Sequence, residues 1–331
     1  MEDFKKLFSS LASLKVAVIG DLMLDTYLWG RVDRISPEAP VPVVLIDKKE
    51  QRIGGAGNVA LNCRALGAEV SIFSVCGRDD DGNCLRQLLE ENRIDTSGII
   101  FAEDRITTNK TRVISRNQQM IRLDAEQDTD IAEAEESQLI VMLRERLTKD
   151  KPDVVIFEDY NKGFLTERVI KEIIALCKEH RVITATDPKR KHFFSYKGVD
   201  IFKPNLKEVR DALNLLPEET GLRQLEKIHQ ELEGMLSHHI SLITLSEKGI
   251  FFQQDKEAMI IPSHVRNIAD VSGAGDTVIA VAALVYAATR QTRLAAEVAN
   301  IAGGIVCEEV GTVVISGQKL LQECELLLSH S

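Results

Sequence analysis

Short continuous apolar runs alternate along most of the chain with segments of helical spacing. The apolar runs predict strands at Val16 to Gly20, Val70 to Val75, Asp153 to Asp159, Val182 to Asp187, Ile201 to Asn205 and Ile240 to Leu245. The intervening periodicity predicts helices at Asn58 to Leu66, Gly82 to Asn92, Ile131 to about Thr148 and Thr166 to His180. From Thr277 onward the chain reads mostly as helix, and Ile250 to Gln253 with Met259 to Pro262 reads as an antiparallel pair. Two stretches break the pattern. Val41 to Ile46 is rich in β-branched residues and lies in a stretch with three prolines, Pro37, Pro40 and Pro42, and residues 99–123 hold short polar-interleaved strands of hairpin type.

Strands that are apolar throughout are buried on both faces, as in a parallel sheet covered by helices. The expected fold is therefore α/β, with a mainly parallel central sheet and helices on both faces. The polar strands around 36–46 and 99–123 are expected to form a small second sheet, a lid, within one unit over residues 1–331. Ligands of such folds bind at the carboxyl ends of the strands. Asp21, Asp25, Asp159, Asp187 and Asn205 fall there.

Composition narrows the function. The chain has 331 residues, 44% hydrophobic and 28% charged, with a formal charge of −10. That balance suits a folded globular protein and disfavours a nucleic-acid binder, which would carry a basic stripe. An anionic ligand would need local cations working against the overall field. Six scattered cysteines show no metal spacing, and no 18-residue apolar run or signal-like segment occurs. The expected setting is the cytoplasm, with no membrane partner.

The most informative chemistry lies in Asp270-Val-Ser-Gly-Ala-Gly-Asp276, which runs into an apolar helical segment. Glycines at a helix start leave amides free for an anion, and the dipole assists. Asp276 reads either as a helix N-cap or as a base that takes a hydroxyl proton during phosphoryl transfer. A second glycine turn, Gly54-Gly55-Ala-Gly57-Asn58, brings bare backbone to a polar ligand, with Asn58 as ligand contact or helix cap. Its dinucleotide-like spacing fails on context, because charged residues Lys48 to Arg52 precede it. Asp21 and Asp25 read as sugar contacts, metal ligands or solvated loop acids. Asn205 and Glu208 form a capping box, or lie near Mg²⁺ on nucleotide phosphates. No P-loop pattern occurs. Lys110, Arg112, Arg116, Arg122, Lys162 and Lys189 are the available cations for a second phosphate, or solvated surface charges. Arg112 is preferred among them for its planar fork.

Together these segments resemble the ribokinase-like (PfkB) sugar kinase family. The Gly54 to Ala60 turn with Gly67 and Gly77 fits its N-terminal signature, and Asp270 to Asp276 fits the core of its C-terminal one; Val281 departs from it. Arg34 to Val43, Thr111 to Gln119, Ile121 to Asp124, Asp159-Tyr-Asn-Lys-Gly163 and Asp187-Pro-Lys189 are most similar to the branch acting on heptose 7-phosphate. That branch is often fused to a nucleotidyltransferase, and this chain is expected to stand alone.

The resemblance implies Asp276 as base and Gly273, Ala274 and Gly275 as amide donors to the transferring phosphoryl group. It implies sugar binding by Asp25, Gly54, Gly55 and Asn58, joined by Asp21, Lys110, Arg112, Asp159 and Lys162. The nucleotide would lie along Asn205, Glu208, Thr244, Ser246, Gly249 and Gly311. ATP and Mg²⁺ are implied as cofactors, a monovalent cation is left open, and a homodimer through the lid is expected. Kinases of other sugars, or a non-catalytic nucleotide or sugar sensor, are the competing readings. A carboxylate at 276 argues against the sensor, which has no need of a base.

Overall fold

The computed structural model describes residues 3–116, 118–216 and 221–328; Asn117, in the expected lid, lies outside them. In chain order the strands are β1 Lys15–Gly20, β2 Leu22–Ile35, β3 Pro42–Gly55, β4 Glu69–Gly77, β5 Asp95–Ala102, β6 Asn109–Ser115, β7 Gln118–Ala125, β8 Val154–Glu158, β9 Ile183–Asp187, β10 Ile201–Phe202, β11 Ile240–Thr244, β12 Ile250–Gln254 and β13 Glu257–Ile261. The helices are α1 Phe4–Leu11, α2 Ala56–Ala65, α3 Asp80–Glu91, α4 Glu133–Lys149, α5 Glu167–His180, α6 Leu206–Leu213, α7 Leu222–Leu236, α8 Ala274–Thr289, α9 Thr292–Val306 and α10 Gly317–Leu328.

The strands form a nine-stranded sheet, ordered β13-β12-β11-β10-β9-β8-β1-β4-β5, and a four-stranded sheet, ordered β3-β2-β6-β7. The large sheet is parallel except at β12 and β13, the pair expected to be antiparallel. Strand geometry sends alternate side chains to opposite faces. Val16 and Val18 of β1 and Val154 and Ile156 of β8 enter one core with α1, α2, α8 and α9. Ala17, Ile19, Val155 and Phe157 enter a second core with α4, α5 and α7. Two cores explain why these strands carry no polar face. Each fully buried side chain such as Phe157 contributes about 1.5–3 kcal/mol.

The small sheet differs from the expected one. Its longest members are β2 and β3, fourteen residues each, and β2 carries no hairpin signal of its own. Residues 36–41 are the turn between them, and Ile99 to Phe101 belongs to β5 at the edge of the large sheet. β2 escaped the sequence pattern because its first half is buried and its second half exposed, so it has no single period. β2 continues directly from β1, and β3 runs straight into α2, so Asp25 and the Gly54 turn meet at the join of the two sheets. Helix α1 was also unpredicted; Phe4, Leu7 and Leu11 form its buried stripe.

Candidate active site

The site lies where α8 begins, above the carboxyl ends of β1, β8 and β9. Gly273 takes φ +77°, which glycine adopts without penalty, and α8 starts at Ala274. The cap is Gly273, so Asp276 is not a helix cap. Its buried carboxylate turns inward. Asn58 Nδ2 donates to Oδ2 at 2.8 Å and Tyr160 Oη donates to Oδ1 at 2.7 Å. Burial pushes Asp276 up to about 6, against the pull of Asn58 and Tyr160; Asp187 adds to the rise and Lys203 opposes it. The Ala274 amide donates to the Val271 carbonyl at 3.3 Å, so of the three expected donors it is the one already engaged within the turn. A Cβ on Gly275 would stand 3.5 Å from Asp187 Oδ2 and 3.6 Å from Lys203 Nζ, which places this helix start over that ion pair.

Asn58 is the third residue of α2, so it does not cap that helix either. It is fully buried, and Asn62 Nδ2 donates to its carbonyl at 2.8 Å. Gly55, at φ +59°, makes the turn, and a Cβ on Gly54 would come within 2.5 Å of Asp25 Oδ2. The bare backbone is thus spent on letting the Asp25 carboxylate approach. Arg112 Nη1 donates to Asp25 Oδ1 at 2.6 Å. The fork expected to hold a phosphate is therefore engaged by an acid. Lys162 is likewise paired, with Glu126 at 2.8 Å, and Arg122 is paired with Asp124. Lys110 is different. It has no acid partner among the described residues, and its ammonium lies 5.4 Å from the centre of the Tyr160 ring. Burial lowers its pKa, while Asp25 works the other way.

Asp21 and Asp159, expected to touch the sugar, are taken up by the protein. Asp21 accepts from the amides of Tyr160, Lys162 and Phe164 at 2.8, 3.1 and 3.3 Å. Burial and neighbouring Asp159 push Asp21 up to about 6. Asp159 accepts from the Asn161 amide and from Tyr196 Oη, both at 2.8 Å. These bonds shape the turn that carries Tyr160.

On the nucleotide side the capping box is complete: the Asn205 amide donates to Glu208 at 2.7 Å and the Glu208 amide to Asn205 Oδ1 at 2.8 Å. Glu208 also pairs with Lys189 at 2.8 Å, so neither residue is free to hold a metal directly. Thr244 bridges to Asn205 at the end of β11. Ser246 is exposed in the following turn, and Gly249 (φ +98°) packs where a Cβ would meet the Ile261 carbonyl at 2.0 Å. Gly311 donates its amide to Asp270 Oδ2 at 2.9 Å.

Three features carried no sequence assignment. Lys203 is buried and lies 2.6 Å from Asp187, which also holds Lys189 at 3.0 Å. Burial alone would raise Asp187, but the two ammonium groups outweigh it and hold it below the usual range. Glu158, Asp187 and Asp276 each bring one carboxylate oxygen within 4.8 Å of the others. Glu158 is wholly buried, both its oxygens lack a hydrogen-bond partner among the described residues, and burial with Asp187 and Asp276 holds its carboxyl well above the usual range. The cations beside this cluster are the ammonium groups of Lys189 and Lys203, which pull the Glu158 carboxyl the other way. Tyr160 is the third. Both Glu158 and Tyr160 flank the strand-end Asp159, and that position was the signal that could have found them.

Residues 13–317 match the model of the pfkB family carbohydrate kinases. The chain belongs to the pfkB family. That family is one of carbohydrate kinases, and the fold is ribokinase-like. Among curated relatives, the bifunctional protein HldE of Geobacter metallireducens is 37% identical over 97% of this chain, and that of Citrifermentans bemidjiense 39% over 97%. The chain spans 65% of the length of each. Among solved structures, phosphofructokinase-2 from Escherichia coli in complex with potassium superposes with a TM-score of 0.78 at 18% identity, covering 96% of this chain and 99% of that one. Arabidopsis thaliana ribokinase complexed with ribose and ATP gives 0.72 at 14%, covering 94% and 99%. Among the described residues of this pfkB member no helix is long and apolar enough to cross a membrane.

Proposed function

We propose that this pfkB kinase transfers the γ-phosphoryl group of ATP to C1 of D-glycero-β-D-manno-heptose 7-phosphate, giving the 1,7-bisphosphate used for ADP-heptose and lipopolysaccharide core synthesis. The observation that carries the reading is Lys110, a partly buried ammonium with no acid partner among the described residues, set against the ring whose hydroxyl touches Asp276. A neutral sugar has no use for a partly buried ammonium without an acid partner in this wall of the site, whereas a sugar phosphate supplies its missing anion. The sequence runs shared with heptose 7-phosphate kinases and the likeness to the HldE proteins support the same choice.

In this reading Asp25, oriented by Arg112, holds sugar hydroxyls beside the Gly54 turn. Asp276 takes the C1 hydroxyl proton as that oxygen bonds to the γ-phosphorus and the bond to ADP breaks. The amides of Gly275 and Asp276 and the ammonium of Lys203 face the charge on the moving phosphoryl group. Mg²⁺, when bound with ATP, would neutralise phosphate charge, held mainly by the phosphates and water near Asn205 and Glu208. The nucleotide lies toward Asn205, Thr244 and Gly311. We place the reaction in the cytoplasm, which suits six free cysteines.

We also infer a homodimer through the small sheet. Ile35, Leu45, Ile46, Met120, Ile121 and Leu123 all expose much of their surface there, and such patches mark association faces.

The deciding experiment incubates the protein with Mg-ATP and a panel of sugar 7-, 6- and 5-phosphates and their unphosphorylated parents, then locates new phosphate by ³¹P NMR. Phosphate at C1 of the heptose 7-phosphate is expected. Equal use of unphosphorylated heptose would overturn the reading in favour of a general sugar kinase.

A further inference from the structure

We propose that the Tyr160 hydroxyl is a positioning group for the Asp276 carboxylate, fixing it in the orientation from which it receives the acceptor's proton. The inference rests on Asp276 as the base. Two donors reach that carboxylate from separate elements, Asn58 from α2 and Tyr160 from the turn after β8. Each oxygen accepts one of them, and an ionised carboxylate oxygen has room for a second donor. The acceptor's hydroxyl can therefore dock without displacing either partner.

The tyrosine is itself held. Its amide donates to Asp21 Oδ2 at 2.8 Å, and Asp21 binds two further amides of the same turn. Asn161 and Gly163 take φ +55° and +84°, so the turn is tightly defined. The ring lies between the ammonium groups of Lys110 and Lys189, 5.4 and 5.6 Å from its centre. This gives buried Asp21 a purpose: it anchors the turn that aims Tyr160 at the base. A packing tyrosine needs only a polar tip satisfied somewhere; this one spends its tip on the reactive carboxylate.

The protonation states agree with this division of labour. Burial, and then Asp276 and Glu158, hold the phenol well above its usual range, so it remains a donor and does not compete as base. The charged groups around Asp276 are Glu158, Asp187 and Lys203, with Lys110 and Lys189 beyond the tyrosine ring. Burial and Asp187 raise Asp276, while Asn58, Tyr160 and Lys203 oppose them. Losing the phenol removes one opposing contact, so Asp276 must then titrate higher.

The test is Tyr160→Phe, which keeps the ring between the two lysines. Asp276 is followed by carboxyl ¹³C NMR in enzyme labelled at aspartate, with Asp276→Asn assigning the resonance. No sugar is needed, so the result stands whether or not the heptose reading does. The titration midpoint is expected to rise by about one unit or more, the size of a hydrogen bond to a charged group. With the working substrate, kcat should fall about tenfold to hundredfold and the acid limb of kcat/KM should move up with the midpoint. An unmoved midpoint, with or without lost activity, overturns the proposal and leaves Tyr160 a packing residue. Uniform 3-fluorotyrosine labelling guards against a folding defect. It keeps every ring and strengthens the donor, so the midpoint should move down; no movement there would also overturn the proposal.

Discussion

The side-chain amide of Asn58 donates to Asp276 Oδ2 across 2.8 Å, joining two glycine turns 218 residues apart in the chain. The N-terminal signature is therefore in direct contact with the C-terminal one. It reaches the carboxylate of the C-terminal one and fixes half of it.

Replacing Asp276 with Asn should lower kcat by roughly 10²–10⁴ with little change in ATP affinity, because size is kept and the base is lost. The unfolding midpoint at neutral pH should hold or rise, since a buried charge raised to about 6 opposes folding when ionised. Turnover within a few-fold of the parent enzyme would remove Asp276 from the mechanism.

The pH profile follows from the same group. Its folded value, about 6, lies above the ordinary 3.8, and the ionised form is the base. Activity is present above that value and is lost as pH falls through it. The acid limb of kcat/KM should therefore centre near pH 6, and a limb centred near pH 4 would contradict the assignment.

Lys110 and Arg112 should separate in kinetics. Lys110→Met is expected to raise KM for the sugar phosphate about tenfold to hundredfold, equivalent to about 1.5–3 kcal/mol, with KM for ATP nearly unchanged. Arg112→Ala leaves Asp25 unpaired at a buried position, so it should also lower the thermal midpoint. If Lys110→Met binds both substrates normally, the second phosphate is held elsewhere.

The small sheet exposes Ile121 and Leu123, each with 52% of its surface in contact with solvent. Changing both to Lys should halve the mass seen by light scattering at tens of micromolar while leaving the fold intact by circular dichroism. A parent enzyme already monomeric and fully active at that concentration would rule out the dimer.

The strands of the large sheet were legible because each is buried on both faces and so is apolar throughout; β1, β8 and β9 fall within a residue or two of expectation. The glycine turns were legible too, since a helix start beside bare backbone needs particular residues in sequence. Strand β2 was not, because one half faces the core and the other solvent. Pairing was wholly hidden. Sequence shows that Arg112, Lys162 and Lys110 are cations, but only the folded chain decides that Asp25 and Glu126 take the first two and leave the third without an acid. Glu158 and Tyr160 look like flanks of an aspartate until β8 is laid between β1 and β9 and points them at Asp276. Local order depends on neighbours in the chain and is written there. Charge balance depends on neighbours in space, and the two sheets together bring those into place.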